Sequence, residues 1–492
     1  MSKIVAADFQ SDRGAAFPTC LLRRRTGRGL ILGSLVLGWL ISTEPCTLSQ
    51  SFMTTILTNG PVSNRLNIVM LSEGYTTNDL ARFAVDATNA INGLLSHAPL
   101  QEYRSYCNAF AISVPSNQSG SDHPSSAVFR DTYFNSTYDP TSDYIITIPP
   151  NFADSNYSHG QGKVNTLLQT FVPRYHLPIL LVNDPVPGGS DGFDQTAISY
   201  SSTNDSTFEI LTHETGHVLG NLGDEYTNAY PGFPDTEEPN TTQETRPDFI
   251  KWKAWINTNR TPIPTPATAG YSSVIGLFQG AHYHPTNWYR PKLDCTMRSL
   301  SPPFCEVCSE TLVLAIYQRV RPIDSFVPAT TNLSVSSPQA VAFSLAVLQP
   351  ATHDLSVQWR TNGVVVAGET NLAFNLLPQS LGDGTHSVSA VVRDNTALVR
   401  NDPTNLLSQT ITWTLVVNLP YLQLDTPTWL AGGQFAFRVS GQAPQGFSLR
   451  ASSNLVSWVP LLTNPLVGGQ FWYTNTTPSS APKQFFRAVT PP

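Results

Sequence analysis

At 492 residues the chain is too long for one hydrophobic core, and length alone suggests three or four folding units. Charged residues make up only 13%, but 40% are hydrophobic and the aromatics are spread along the chain, which excludes a disordered protein. The formal charge is -7, and no basic stripe is visible beyond the N-terminus, so a nucleic-acid partner is not expected.

Arg23, Arg24, Arg25 and Arg28 precede an uncharged, mostly apolar run over 29–43. A basic cluster before an apolar stretch of that length reads as a secretory signal, so residues 1–50 are assigned to a signal peptide or N-terminal anchor. The run is short of the ~20 residues a membrane-spanning helix needs. The expected location is outside the cell or at its surface.

Residues 51–322 read as one α/β unit, a mixed sheet with helices. Strand patterns fall at 66–71, 110–114, 143–148 and 177–182. Between the first two, Leu80, Phe83, Ala84, Ala87, Ile91 and Leu94 recur at helical spacing over 78–95. Ser206-x-x-Glu209 has the form of a capping box and predicts a helix start there. On that helix His213 and His217 stand four residues apart, so both imidazoles leave the same face. Two such nitrogens make half of a tetrahedral zinc site. Glu214, turned about 100° from His213, is placed to act on water there as a general base. A third ligand must come from beyond the helix. Asp224 would lie ~10 Å too far along an unbroken helix, so the chain has to turn first, and Gly220 and Gly223 permit that. Glu225 is the neighbouring choice; Glu237, Glu238 and His282 are weaker ones.

Of six cysteines, Cys20 and Cys46 fall in or beside the leader, leaving Cys107, Cys295, Cys305 and Cys308. In an oxidising compartment disulfides are the expected state. A second, structural zinc site is the other reading, but it lacks a visible fourth ligand. After Arg321-Pro322 the pattern changes to short alternating runs, such as 355–359 and 386–391, divided by turn signals at Asn362-Gly363 and 382–384. Residues 323–418 are therefore expected to form an Ig-like β-sandwich, and 419–492 a further small β module with runs at 434–439 and 448–451. Neither carries a catalytic cluster.

The stretch HETGHVLGNLGDEY at 213–226 resembles the active-site segment of the bacterial metallopeptidase family named for an IgA-cleaving member. The likeness extends to IVMLSEGYT at 68–76, where that family more often has Asp in place of Glu73. It continues in order through GLFQGAHY at 276–283, YRP at 289–291, CTM at 295–297 and FCEVC at 304–308. It covers about residues 60–315 and omits both β segments. The resemblance implies an IgA-peptidase-type enzyme with a single catalytic zinc ion, held by His213, His217 and Asp224, with Glu214 as base. It does not imply that IgA is the substrate.

The segment 280–308 is expected to complete the site. Tyr283 and Tyr289 are candidates to stabilise the oxyanion. Met297 is a candidate floor beneath the metal, by analogy with the Met-containing turn of metzincins. Cys295, Cys305 and Cys308 are expected to staple the segment by one disulfide. LRASSNLVSW at 449–458 and QFFRA at 484–488 resemble a C-terminal β module of exported bacterial proteins, which suggests cell-surface association. The expected activity is zinc-dependent endopeptidase cleavage of a protein or peptide. The alternatives are an inactive surface-binding adhesin and a zinc amidase acting on cell-wall peptides.

Overall fold

The mostly apolar stretch 66–73 becomes a strand buried along its whole length, Leu66–Glu73, with Asn67, Ser72 and Glu73 buried too. Such a strand must lie inside a sheet covered on both faces. The computed structural model describes residues 52–490 except 143, 191–198, 444–445 and 477–482. Within the described residues the molecule is rich in β-strands, arranged in several sheets, with few helices. The leader expected at 1–50, with Cys20 and Cys46, lies outside the described residues. Among them, no helix is long and apolar enough to cross a membrane.

In chain order the first strands are β1 (Phe52–Leu57), β2 (Leu66–Glu73), β3 (Cys107–Ser113), β4 (Thr137–Tyr138), β5 (Ile146–Thr147), β6 (Leu177–Val182), β7 (Gly189–Ser190) and β8 (Ser199–Ser202). Six of them form one sheet in the order β1-β3-β2-β6-β8-β7. Its central pairs β3-β2, β2-β6 and β6-β8 are parallel, and both edge strands are antiparallel. Alternation sends Ile68 and Met70 into one core, and Val69 and Leu71 into another on the opposite face. Helices α1 (Leu80–Leu94), α3 (Thr207–Gly220) and α4 (Glu306–Arg319) contribute to the first core; α2 (Gln161–Phe171) contributes to the second.

The apolar spacing that predicts a helix at 78–95 matches α1, except that Ala84 is exposed and Ala90 is buried in its place. The strand expected at 143–148 shrinks to β5, because Pro149 and Pro150 lack the N–H groups a ladder needs; Asp143 lies outside the described residues.

Beyond Arg321, Ile323–Val327, Val341–Val347 and Ala373–Leu376 form a three-stranded sheet. It shares a core with a five-stranded sheet that contains Ser356–Thr361, Gly384–Arg393 and Ser408–Val417. Trp359, Trp413, Phe343 and Phe374 stack at its centre. Two further three-stranded sheets follow, with a smaller core around Phe437, Val439, Phe447 and Leu449.

Polar contacts join the first two of these sheets to the residues before Arg321. Tyr103 and Tyr317 both donate to the buried Asp394 carboxylate, at 2.8 and 2.7 Å. His353 bridges Asp394 and Glu102 at 2.7 and 2.9 Å. Arg65 grips Asp324 through both terminal nitrogens at 2.8 Å. Glu310 of α4 accepts the backbone N–H of Arg400 and of Asn401.

Candidate active site

Helix α3 carries the histidines, and its two ends decide where they point. The Ser206 side chain makes no capping bond, so the expected box is not formed. Asn204 takes its place: its side-chain oxygen accepts the Ser206 N–H at 2.7 Å, and its own N–H donates to Thr207 Oγ1 at 2.8 Å. At the other end the turn is made by Asn221, with φ of 50°, and not by a glycine. Asparagine is the commonest non-glycine residue for this left-handed cap. Gly216 has a different use. A Cβ there would stand 2.6 Å from Met297 Sδ, so the missing side chain lets Met297 seat directly against the helix.

The chain turns back at Asn221 and brings Asp224 to the two imidazoles. His213 Nε2 and His217 Nε2 are 3.1 Å apart, and Asp224 Oδ1 lies 3.2 Å from the first and 3.4 Å from the second. Each Nδ1 faces a carbonyl oxygen instead: that of Thr296 at 2.9 Å for His213, and that of Leu222 at 2.6 Å for His217. A carbonyl only accepts, so in the neutral rings the proton sits on Nδ1 and the lone pair of Nε2 faces the other ligand atoms. Asp224 Oδ1 is buried and has no hydrogen-bond donor. Three donor atoms held by bonds of 2.0–2.1 Å in a tetrahedron stand about 3.3–3.4 Å apart. The observed triangle matches that size, so these residues fit a small divalent cation.

Charge supports the same reading. Burial alone would raise the Asp224 carboxyl, yet the neighbouring His217 and His213 hold it well below the usual carboxylate range. Burial opposes charging His213, but the Asp224 carboxylate beside it lifts the imidazole above its ordinary value. The position that favours a proton here also favours a metal cation, which binds the deprotonated ring.

Two phenols hold the other carboxylate oxygen. Tyr226 donates to Asp224 Oδ2 at 2.8 Å, and Tyr283 donates to the same atom. Tyr283 sits at the tip of a hairpin between β9 (Phe278–Ala281) and β10 (His284–Arg290), where His282 and Tyr283 both have positive φ, 53° and 60°. The tip is tied to the ligand segment by His282 N–H to the Asp224 carbonyl and Tyr283 N–H to the Tyr226 carbonyl. His213, Glu214, His217, Asp224, Tyr226 and Tyr283 line a cleft of ≈ 360 Å³. Glu214 is buried in its wall, with Oε1 close against Gly189 of the edge strand β7. A buried carboxylate in the same cleft as three converging ligand atoms is suited to proton transfer.

A family model described as IgA Peptidase M64 matches residues 54–270 and 267–316, together more than half of the chain. The chain belongs to the IgA Peptidase M64 family. Its activity class is therefore that of a peptidase, a hydrolase of peptide bonds. No curated protein matches the chain. Among solved structures it is similar to three N-terminal domains of the outer capsid protein Hoc of bacteriophage RB49, at 13% identity over 31% of this chain and 58% of that one, TM-score 0.18. It is also similar to Bacteroides uniformis beta-glucuronidase 3, at 10% identity over 44% and 30%, TM-score 0.14. The amphioxus IgVJ-C2 molecule matches at 13% identity over 32% and 97%, TM-score 0.15. The chain spans less than two thirds of the first two, and at these TM-scores none of the three bears on the site.

Within this M64 chain the other sequence candidates fall elsewhere. Tyr289 lies on β10, half-buried against the main core, and is not among the cleft-lining residues. His282 turns its ring onto Trp288 and bonds Glu238 and the Pro234 carbonyl, so it is not one of the three ligand-type residues that converge. Glu225 is turned away from the histidines and toward Cys295, Cys305 and Cys308. The expected disulfide is not formed: all four described cysteines are free. Tyr226 is a site residue outside the expected set. Its position two residues beyond Asp224, on the same side of an extended chain, is the signal that points to it.

Proposed function

We propose that this M64 peptidase is an exported zinc-dependent endopeptidase. In this reading residues 51–322 are the α/β catalytic domain, 323–418 an Ig-like sandwich and 419–492 a β module suited to surface association. The observation that carries the proposal is the triangle of His213 Nε2, His217 Nε2 and Asp224 Oδ1, beside Glu214 in one cleft. Two imidazoles and a carboxylate are a zinc ligand set that leaves a position open to substrate. Bound there, zinc would supply a Lewis acid that polarises the scissile carbonyl and makes water more acidic.

The chain's own residues do the rest. The carbonyls of Thr296 and Leu222 fix the tautomer and aim of the imidazoles. Tyr226 and Tyr283 hold Asp224 so that Oδ1 stays free to bind. Glu214 takes the proton of the attacking water, then passes it to the nitrogen of the leaving amine. Tyr283 lines the cleft and, in this reading, exchanges its bond to Asp224 Oδ2 for one to the substrate oxyanion when substrate binds.

The test is Glu214→Gln in the full-length chain, assayed on casein, a peptide library and peptidoglycan. Metal content and thermal unfolding should match wild type, while peptide cleavage should fall by about 10²–10⁴-fold. Wild-type activity should vanish with a chelator and return with zinc. Cleavage by the variant at the wild-type rate would reject Glu214 as the base. Hydrolysis of peptidoglycan alone would replace the endopeptidase reading with the amidase.

A further inference from the structure

A second group of ligand-type side chains lies on the far side of the segment that carries Asp224. Cys295, Cys305, Cys308 and Glu225 are all buried, and their ligand atoms lie within 4.8 Å of one another. Cys308 Sγ is 3.8 Å from Cys295 Sγ, 3.6 Å from Cys305 Sγ and 3.5 Å from Glu225 Oε1. A tetrahedral ion with thiolate bonds near 2.3 Å sets its sulfurs about 3.8 Å apart, and a sulfur and a carboxylate oxygen about 3.5 Å apart. We propose that these four residues form a second, structural site for a thiophilic divalent cation, with zinc as its natural occupant.

Three further observations converge on it. Glu225 is fully buried, and while Oε1 accepts from Asn240 at 2.9 Å, Oε2 has no hydrogen-bond partner. A buried carboxylate with an unpartnered oxygen is costly to keep charged, and a cation held at Oε1 among the sulfurs offsets that charge. Cys305 is the N-cap residue of α4 and Cys308 lies in its first turn, so both sulfurs sit at the positive end of a fourteen-residue helix, where thiolates are favoured. The Cys305 N–H also points at Cys295 Sγ, 3.2 Å away, as a donor does toward a ligating sulfur. Three cysteines suit a metal better than a disulfide, which would leave one thiol beside the buried Glu225 carboxylate.

This site would brace the catalytic one. Cys295 is followed by Thr296, whose carbonyl orients His213, and by Met297, whose carbonyl accepts the Glu225 N–H at 2.7 Å. Ordering the cysteines therefore fixes the carbonyl that sets one catalytic imidazole.

The experiment measures bound metal per full-length chain, purified under reducing conditions. Wild type and Glu214→Gln should each carry two equivalents, and Cys308→Ser should lose one. The His213→Ala/His217→Ala double variant should also lose one. Loaded with Co²⁺, that double variant should show the near-ultraviolet thiolate-to-cobalt charge-transfer band. This readout is independent of catalysis, so it separates failure of the second site from failure of the peptidase reading. Should Cys308→Ser not fold, the double variant decides alone: one equivalent with the thiolate band supports the site. A double variant that binds no metal, or binds Co²⁺ without the band, overturns it. So does a disulfide among the three cysteines in non-reducing peptide mapping of wild type.

Discussion

At the scale of single residues, the two oxygens of Asp224 have divided tasks. Oδ2 takes both phenols, so Oδ1 is left to the imidazoles. Removing one phenol should loosen the carboxylate without emptying the site. Tyr226→Phe is expected to keep the fold and to weaken metal affinity about 10–100-fold, read by competition with a colorimetric chelator. Unchanged affinity would show that Tyr283 alone holds the carboxylate. The histidine pair and Glu214 were legible because helical spacing is local and needs no partner. The choice between Asp224 and Glu225 was not legible from spacing. Adjacent side chains point to opposite sides of an extended chain, and which side meets the histidines depends on Tyr283 and the cysteines, some sixty to eighty residues away. Spacing among Cys295, Cys305 and Cys308 reads as a disulfide staple because Glu225, which meets them only in the fold, stands beside Asp224 in the sequence.

At the scale of elements, α3 works because something packs closely beneath it. Met297 sits where a Cβ on Gly216 would be, so Gly216→Ala overfills the contact. The expected cost is about 1–3 kcal/mol in urea unfolding, and the same substitution should cost less in a Met297→Ala background. A Gly216→Ala variant as stable as wild type would show that Met297 does not seat there. The strands at 66–73 and 177–182 were visible because burial on both faces leaves a mostly apolar run. The β9–β10 hairpin was not, because its turn is His282-Tyr283 in place of the Asn-Gly or Gly-Gly that usually signals such a turn. The same kind of substitution hid the end of α3, where Asn221 does what was expected of Gly220 and Gly223.

At the scale of the whole molecule, the composition change at Arg321 was plain, but the polar seam across it was not, since Tyr103, Tyr317 and Asp394 give no sequence signal of their meeting. His353 makes that seam sensitive to pH. Burial works against its charge, but hydrogen bonds and charge from Asp394 and Glu102 raise its pKa above the ordinary value. A raised folded-state pKa gives stability that is fully present below the unfolded value of ~6.5 and lost as pH rises through the folded one. The denaturation midpoint should therefore fall on going from acidic to alkaline pH across that window, and His353→Gln should flatten the fall. An equal slope in the variant would remove His353 as the cause. The seam also sets a limit on dissection. Helix α4 begins in the cysteine cluster and, within three turns, presents Glu310 and Tyr317 to the far side of Arg321. Cutting the chain at the visible change in composition would leave Tyr103, Tyr317 and Glu310 facing water through a newly opened wall, the last two on the helix whose first turn carries Cys308. A fragment ending at residue 321 is therefore expected to unfold at lower denaturant than one that keeps the loop supplying Asp394 and Arg400.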